Sequence, residues 1–142
     1  MHWSRDYVGL PWAFAGRDRN GVDCWGLLWL IYRDVVKVEV ASYAAETMDA
    51  PEREQIAQLL SADRVRSPWV SVEPGSAREF DMVVFRRGGL DSHIGIVVSP
   101  GRMLHIMHGG EARVESFDAG RWKAKLIGVH RHIELMERSD AA

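Results

Sequence analysis

Hydrophobic and polar positions fall into three textures along the chain. From Cys24 to about Val36 the run Cys-Trp-Gly-Leu-Leu-Trp-Leu-Ile-Tyr-Arg-Asp-Val-Val carries apolar residues on nearly every helical face. That pattern predicts a helix packed on both sides, in the middle of a domain. Asp23 stands just before it as an N-cap, and Gly16–Gly21 reads as a loop. The stretch from about 41 to 78 is more polar. Asp49-Ala50-Pro51-Glu52 has a cap residue, a first-turn proline and a glutamate three residues on. Ile56, Leu59 and Leu60 follow at i, i+3, i+4 spacing, so a short amphipathic helix is expected over about 50–62. Ser67-Pro68-Trp69-Val70 reads as extended chain, because the residue before proline avoids the helical region. This zone is a helical excursion, not a second domain.

From about residue 79 the texture is that of strands. Met82–Phe85, His93–Val98, Met103–Met107, Ala112–Phe117 and Lys125–Leu135 are short strand-like runs punctuated by glycine and proline. They predict an antiparallel meander of about five strands. Pro100-Gly101 suits the centre of a type II turn. Residues from about 137 read as a flexible, frayed tail. Helix first and strands after is α+β architecture in a single domain over 1–142.

Composition narrows the function. The 142 residues are 46% hydrophobic and 27% charged, as in a folded globular domain. Eighteen basic and 20 acidic residues give a net charge of −2, which argues against a nucleic-acid partner and a polybasic membrane anchor. No run approaches the roughly 18 apolar residues of a membrane span. The opening residues have no apolar signal-peptide core, so synthesis in a cytoplasm without a signal peptide is expected. The one cysteine, Cys24, excludes an intrachain disulfide and a four-cysteine zinc site.

Cys24 falls in the first turn of the expected buried helix. The thiolate is the reactive form, and the positive end of a helix dipole stabilises it by about 0.3–1 kcal/mol. That is under one pKa unit, so a reactive thiolate needs a second partner. His93 opens one expected strand and His105 lies on the next, across the Pro-Gly turn. Neighbouring strands can bring two such rings together on one side of a sheet. His93 would then accept the thiol proton and His105 would orient its ring, the nucleophile–base–orienter logic of covalent catalysis. The same residues also have plainer readings: Cys24 as a small buried hydrophobe and the histidines as satisfied strand residues.

The pairs His105/His108 and His130/His132 raise the possibility of a metal, but the supporting cysteines and an HExxH helix are missing, so no metal or cofactor is expected. His130 and His132 are expected on the solvent face, with Val129 and Ile133 inward. Trp25, Leu28, Trp29 and Tyr32 at helical spacing read as core, with Trp25 also a candidate groove wall.

Taken together, Pro11–Gly16, Asp23-Cys24-Trp25-Gly26-Leu27, Phe80–Phe85, His93-Ile94-Gly95-Ile96-Val97 and Met103-Leu104-His105 resemble the successive motifs of the NlpC/P60 cysteine peptidases. The Asp-Cys-Trp-Gly-Leu form and the Tyr7-x-Gly9-x-Pro11-Trp12 lead-in look most like the phage-tail branch. The resemblance implies a papain-like α+β fold, with the cysteine helix packed on an antiparallel sheet. It implies hydrolysis of peptidoglycan stem peptides at the D-γ-glutamyl–diamino acid bond, with Cys24 as nucleophile, His93 as base and His105 as the orienting residue. It also implies phage tail-tip proteins as partners and a virion tail tip as the location. A catalytically weak structural part of a tail tip is the alternative. Many members of the family have tyrosine where this chain has Trp12. Trp12, Tyr7, Asp23 and Trp25 are therefore candidates for the oxyanion site and substrate cleft. Arg17, Asp18 and Arg19 are expected as a solvated loop, able to meet a charged stem peptide. The enzyme reading requires the rings of His93 and His105 to be presented to the thiol, not turned to a far side of the sheet with no cleft between.

Overall fold

The computed structural model describes residues 2–42, 68–87 and 90–141. The helix expected over about 50–62 lies outside the described residues. The expected loop before Cys24 contains a minimal hairpin, β1 (Arg17–Asp18) and β2 (Gly21–Val22). The Asn20 N–H donates to Asp18 Oδ1 at 2.9 Å and closes its turn.

Helix α1 runs Cys24–Ile31, and each of its residues except Trp29 is buried. A π-helical turn, Tyr32–Val36, extends it and ends at Lys37 in a left-handed conformation. The expected helix over 24–36 is therefore present, loosened in its last turns.

The main sheet is antiparallel throughout, in the order β3-β8-β4-β5-β6-β7. Its strands are β3 (Trp69–Val72), β4 (Met82–Arg87), β5 (Leu90–Ser99), β6 (Arg102–His105), β7 (Arg113–Ser116) and β8 (Leu126–His132). Strands β4 to β7 form the expected meander, and Gly101 takes φ 78° in the turn between β5 and β6. The described sheet has six strands where about five were expected. The difference is Trp69–Val72, whose extended chain adds to β8 as an edge strand.

Both faces of the sheet are covered. Met82, Val84, Ile94, Ile96, Leu104 and Ile106 pack with α1 in one core cluster. Val83, Phe85, Val97, Met103 and Val129 pack on the other face with Phe117 and Trp122. Trp122 belongs to helix α2 (Gly120–Lys125), which the sequence pattern did not reveal. Burial on two faces explains why the strands read as near-continuous apolar runs.

The last strand is shorter than expected. β8 stops at His132, and Ile133–Ala141 form helix α3, which takes in the segment expected as a tail as far as Ala141. Glu134, Leu135, Met136, Glu137 and Arg138 are good helix formers, and the Ile133 N–H donates to Pro68 O at 2.7 Å where the strand ends. Ile133 is 43% exposed and does not pack inward.

Candidate active site

The start of α1 is held from two sides. Asp23 Oδ1 accepts the Gly26 N–H at 2.7 Å, the capping bond expected from sequence. The same oxygen accepts a second bond, also 2.7 Å, from Arg17 Nη1. Arg17 further donates to the carbonyls of Gly16 and Ser42. It is thus the buried partner of the cap and not part of a solvated loop, which corrects the expectation for this residue. Gly26 is required by close approach: a Cβ there would lie 2.1 Å from Gly16 O.

A backbone thread ties this corner to one end of the sheet. The Val22 N–H donates to Pro11 O at 3.0 Å, and Trp12 N–H donates to Gly110 O at 3.0 Å. Ala112 N–H donates to Leu10 O at 2.9 Å, and Gly9 N–H to Ala112 O at 2.8 Å. Residues 9–12 therefore join Val22, two residues before Cys24, to the chain just beyond β6. That is the end of the sheet where β5 carries His93 and β6 carries His105. Cys24 itself is buried, 4% exposed, in the cluster formed by α1 and the sheet.

His93 Nε2 and His105 Nδ1 are 2.9 Å apart, so the expected pairing of the two rings is present. Both are buried, at 2% and 0% exposure. Close packing at Gly95 permits it, since a Cβ on Gly95 would lie 2.7 Å from Met103 Sδ and 3.3 Å from His105 Cβ. Trp122 covers the pair: its ring stacks on His93 with centroids 5.1 Å apart and meets His105 edge-on at 4.9 Å. Phe85 lies 6.0 Å from His93 on the same side.

Alternation along β5 sends Ile94 and Ile96 to α1 and roots the His93 ring on the opposite face, among Phe85 and Trp122. The rings do not project into the middle of the helix–sheet interface. The two rings lie at the end of the sheet to which the backbone bonds of residues 9–12 tie the segment before α1.

His105 Nε2 lies 2.5 Å from Glu115 Oε2 on β7. Burial pushes the His105 pKa below its ordinary value, against the opposing pull of Glu115. Glu115 is itself held below the ordinary carboxylate range, its partial burial outweighed by the His105 hydrogen bond and the charges nearby. Sequence reasoning missed Glu115 and Trp122. The available signal for Glu115 was the one acid in the expected strand Ala112–Phe117, which register places opposite Met103 and so on the side of His105.

The Trp12 ring packs on His108, centroids 4.1 Å apart. Trp25 is a core residue, 5% exposed, with its indole N–H donating to Ala41 O at 2.8 Å. Tyr7 is buried against Trp3 and lies under the Arg19 guanidinium. Burial raises its pKa, and the charge it feels most is Asp34, beyond the far end of α1 from Cys24. His132 is 4% exposed between Tyr32 and Trp69, not on a solvent face, because β8 lies between β3 and β4 inside the sheet. Among the described residues, no group of three or more His, Cys, Asp or Glu is placed to hold a metal ion.

A cysteine opening a buried helix, packed on an antiparallel sheet that carries a paired histidine, defines a papain-like α+β domain. Residues 9–131 match the NlpC/P60 family, and the chain belongs to it. It is 27% identical over 129 residues to the murein DD-endopeptidase MepH of Escherichia coli (strain K12), a match covering 87% of this chain and 41% of that protein. The chain thus spans less than half the length of that relative. The crystal structure of the NlpC/P60 domain of the peptidoglycan hydrolase SagA superposes with TM-score 0.59 at 20% identity, covering 90% of this chain and 92% of that one. An NlpC/P60 family protein from Bacillus cereus superposes with TM-score 0.66 at 18% identity, covering 92% and 38%. These structures share the fold.

Proposed function

We propose that the chain is a cysteine endopeptidase that cleaves peptidoglycan stem peptides at the bond between D-γ-glutamate and a diamino acid. The observation that carries this reading is the 2.9 Å pair of His93 and His105 at the end of the sheet to which the start of α1 is tied. Family membership and the murein endopeptidase among the relatives support the substrate class. In this mechanism the Cys24 thiol gives its proton to His93, and the sulfur attacks the scissile carbonyl carbon. The Cys24 backbone N–H donates to the developing oxyanion. Protonated His93 then passes the proton to the leaving amine, and water hydrolyses the acyl-enzyme.

The test is digestion of purified peptidoglycan by the wild type and by Cys24→Ala. New amino termini released by the wild type alone support the reading. Release by neither protein, or equally by both, overturns it. We propose further that the protein works at a phage tail tip, on the strength of the Asp-Cys-Trp-Gly-Leu form and the lead-in through Trp12. Mass spectrometry of purified virions checks that setting, and absence of the protein from the particle refutes it.

A second reading, a structural tail component with weak catalysis, rests on Trp12, whose ring is engaged with His108. Retained virion assembly with Cys24→Ala, together with no hydrolysis by the wild type, would favour it.

A further inference from the structure

We infer that Glu115 is a positioning residue that acts through His105 to fix the tautomer of His93, leaving His93 Nδ1 as the acceptor for the thiol proton. The inference rests on the catalytic reading above and follows from the order of donors and acceptors along three side chains.

Glu115 Oε2 lies 2.5 Å from His105 Nε2, and an ionised carboxylate can only accept. His105 Nε2 must therefore carry the hydrogen. A neutral imidazole has one N–H, so His105 Nδ1 is an acceptor. His93 Nε2 lies 2.9 Å from that atom and must donate to it. The hydrogen of neutral His93 is then on Nε2, and Nδ1 holds the lone pair. Reversing the order would set two lone pairs against each other at a site where His105 is fully buried.

The charge also acts at the next stage. When the thiol proton reaches Nδ1, His93 becomes an imidazolium with Nε2–H still directed at His105. Glu115 then places a negative charge one ring away from that cation, while its own bond to His105 Nε2–H persists. No proton needs to pass to Glu115, the arrangement in which a buried carboxylate orients a catalytic imidazole.

The neighbouring charges do not replace it. Arg121 on α2 approaches Glu115 Oε1 at 3.6 Å and is 61% exposed, so it is a weak, solvent-screened partner. Arg113 on β7 and Arg121 both disfavour protonation of His105. Lys125 on α2 lies over the Trp122 ring, 5.8 Å from its centroid. Glu115 is the acid whose hydrogen bond and charge favour protonation of His105.

The experiment begins with the unaltered protein labelled with 15N in its histidines. Long-range 1H–15N spectra at pH 7.5 should show hydrogen on Nε2 and not on Nδ1 in both His93 and His105. Hydrogen on His93 Nδ1 overturns the inference, and this readout requires no variant to fold. Cys24 alkylation is then followed across pH for the wild type, Glu115→Gln and Glu115→Leu. Gln can still accept from His105 Nε2 but lacks the charge, while Leu offers neither. The thiolate titration should move to higher pH in both, further in Leu. Peptidoglycan turnover should fall on the order of 10- to 100-fold in kcat for Leu, less for Gln, with KM unchanged, the scale seen when a residue orienting a site is lost. A titration and kcat unchanged in both variants overturn the role of Glu115 while leaving Cys24 and His93 in place. A wild-type thiol that shows no ionisation below about pH 8.5, with no hydrolysis, instead overturns the catalytic reading, and the tautomer spectra then still decide the role of Glu115 at His93.

Discussion

Arg17 and Asp23 form a 2.7 Å ion pair at the first turn of the helix that begins with Cys24, with the two side chains 10% and 5% exposed. The carboxylate oxygen that takes the guanidinium also caps the helix. Asp23→Ala removes both interactions and leaves the guanidinium buried without its counter-charge. The expected cost is about 3–5 kcal/mol, the range for breaking a buried pair. Asp23→Asn keeps a capping oxygen and should cost less. Urea unfolding of both variants measures the difference, and equal costs would show that the ion pair adds nothing to the cap.

Gly26→Ala inverts an ordinary rule. Within a helix this exchange normally stabilises by about 0.5–1 kcal/mol. Here the added Cβ would lie 2.1 Å from Gly16 O and 2.9 Å from Arg17 Nη1. The first obstacle is backbone, so the hairpin or the helix start must move. A net destabilisation of about 1–3 kcal/mol is expected, together with slower alkylation or turnover at Cys24. A gain in melting temperature would contradict the packing described.

Stability should fall on acidification through the His105–Glu115 pair. Burial lowers the folded-state pKa of His105, so below the ordinary histidine value of about 6.5 the unfolded chain binds a proton that the folded chain resists. Glu115 is also shifted down when folded, so at lower pH the unfolded chain again takes up the proton more readily. Both terms make the unfolded state the better proton binder, and stability rises with pH across these windows. Urea midpoints measured from pH 7.5 down to 4 should decline, and His105→Asn should flatten the part of the decline between about pH 6.5 and 5. A variant curve parallel to that of the wild type would refute the assignment to His105.

Trp122→Ala should cost about 3–5 kcal/mol, as expected for truncating a large buried ring. It also uncovers His93 and His105, which the indole flanks on two sides. Hydrogen exchange of the His93 ring N–H should therefore quicken. Trp122→Phe should recover most of the stability and protection. Unchanged exchange in the alanine variant would show that Trp122 does not seal the pair.

Local chemistry made much of this molecule readable from its residues alone. The apolar run after Asp23 specified a buried helix capped by Asp23 and beginning at Cys24, because helix periodicity and capping act over a few neighbouring residues. The Pro100-Gly101 turn likewise set β5 beside β6, and so placed His93 and His105 within reach of each other. Other features were decided only when distant segments met. Trp69–Val72 became a sheet edge because β8 offered it backbone partners, and that same pairing buried His132. Lys125–Leu135 divided between strand and helix because β8 lost its partners after His132. Glu115, Trp122 and Arg17 gained their places by approach across 10, 29 and 6 positions to His105, His93 and Asp23, respectively. Periodicity records which face of an element is buried, not which distant side chain will cover it. The contacts that complete the candidate site therefore arose from packing on the far face of the sheet and from the thread of residues 9–12, where backbone hydrogen bonds join chain ends that the sequence leaves far apart.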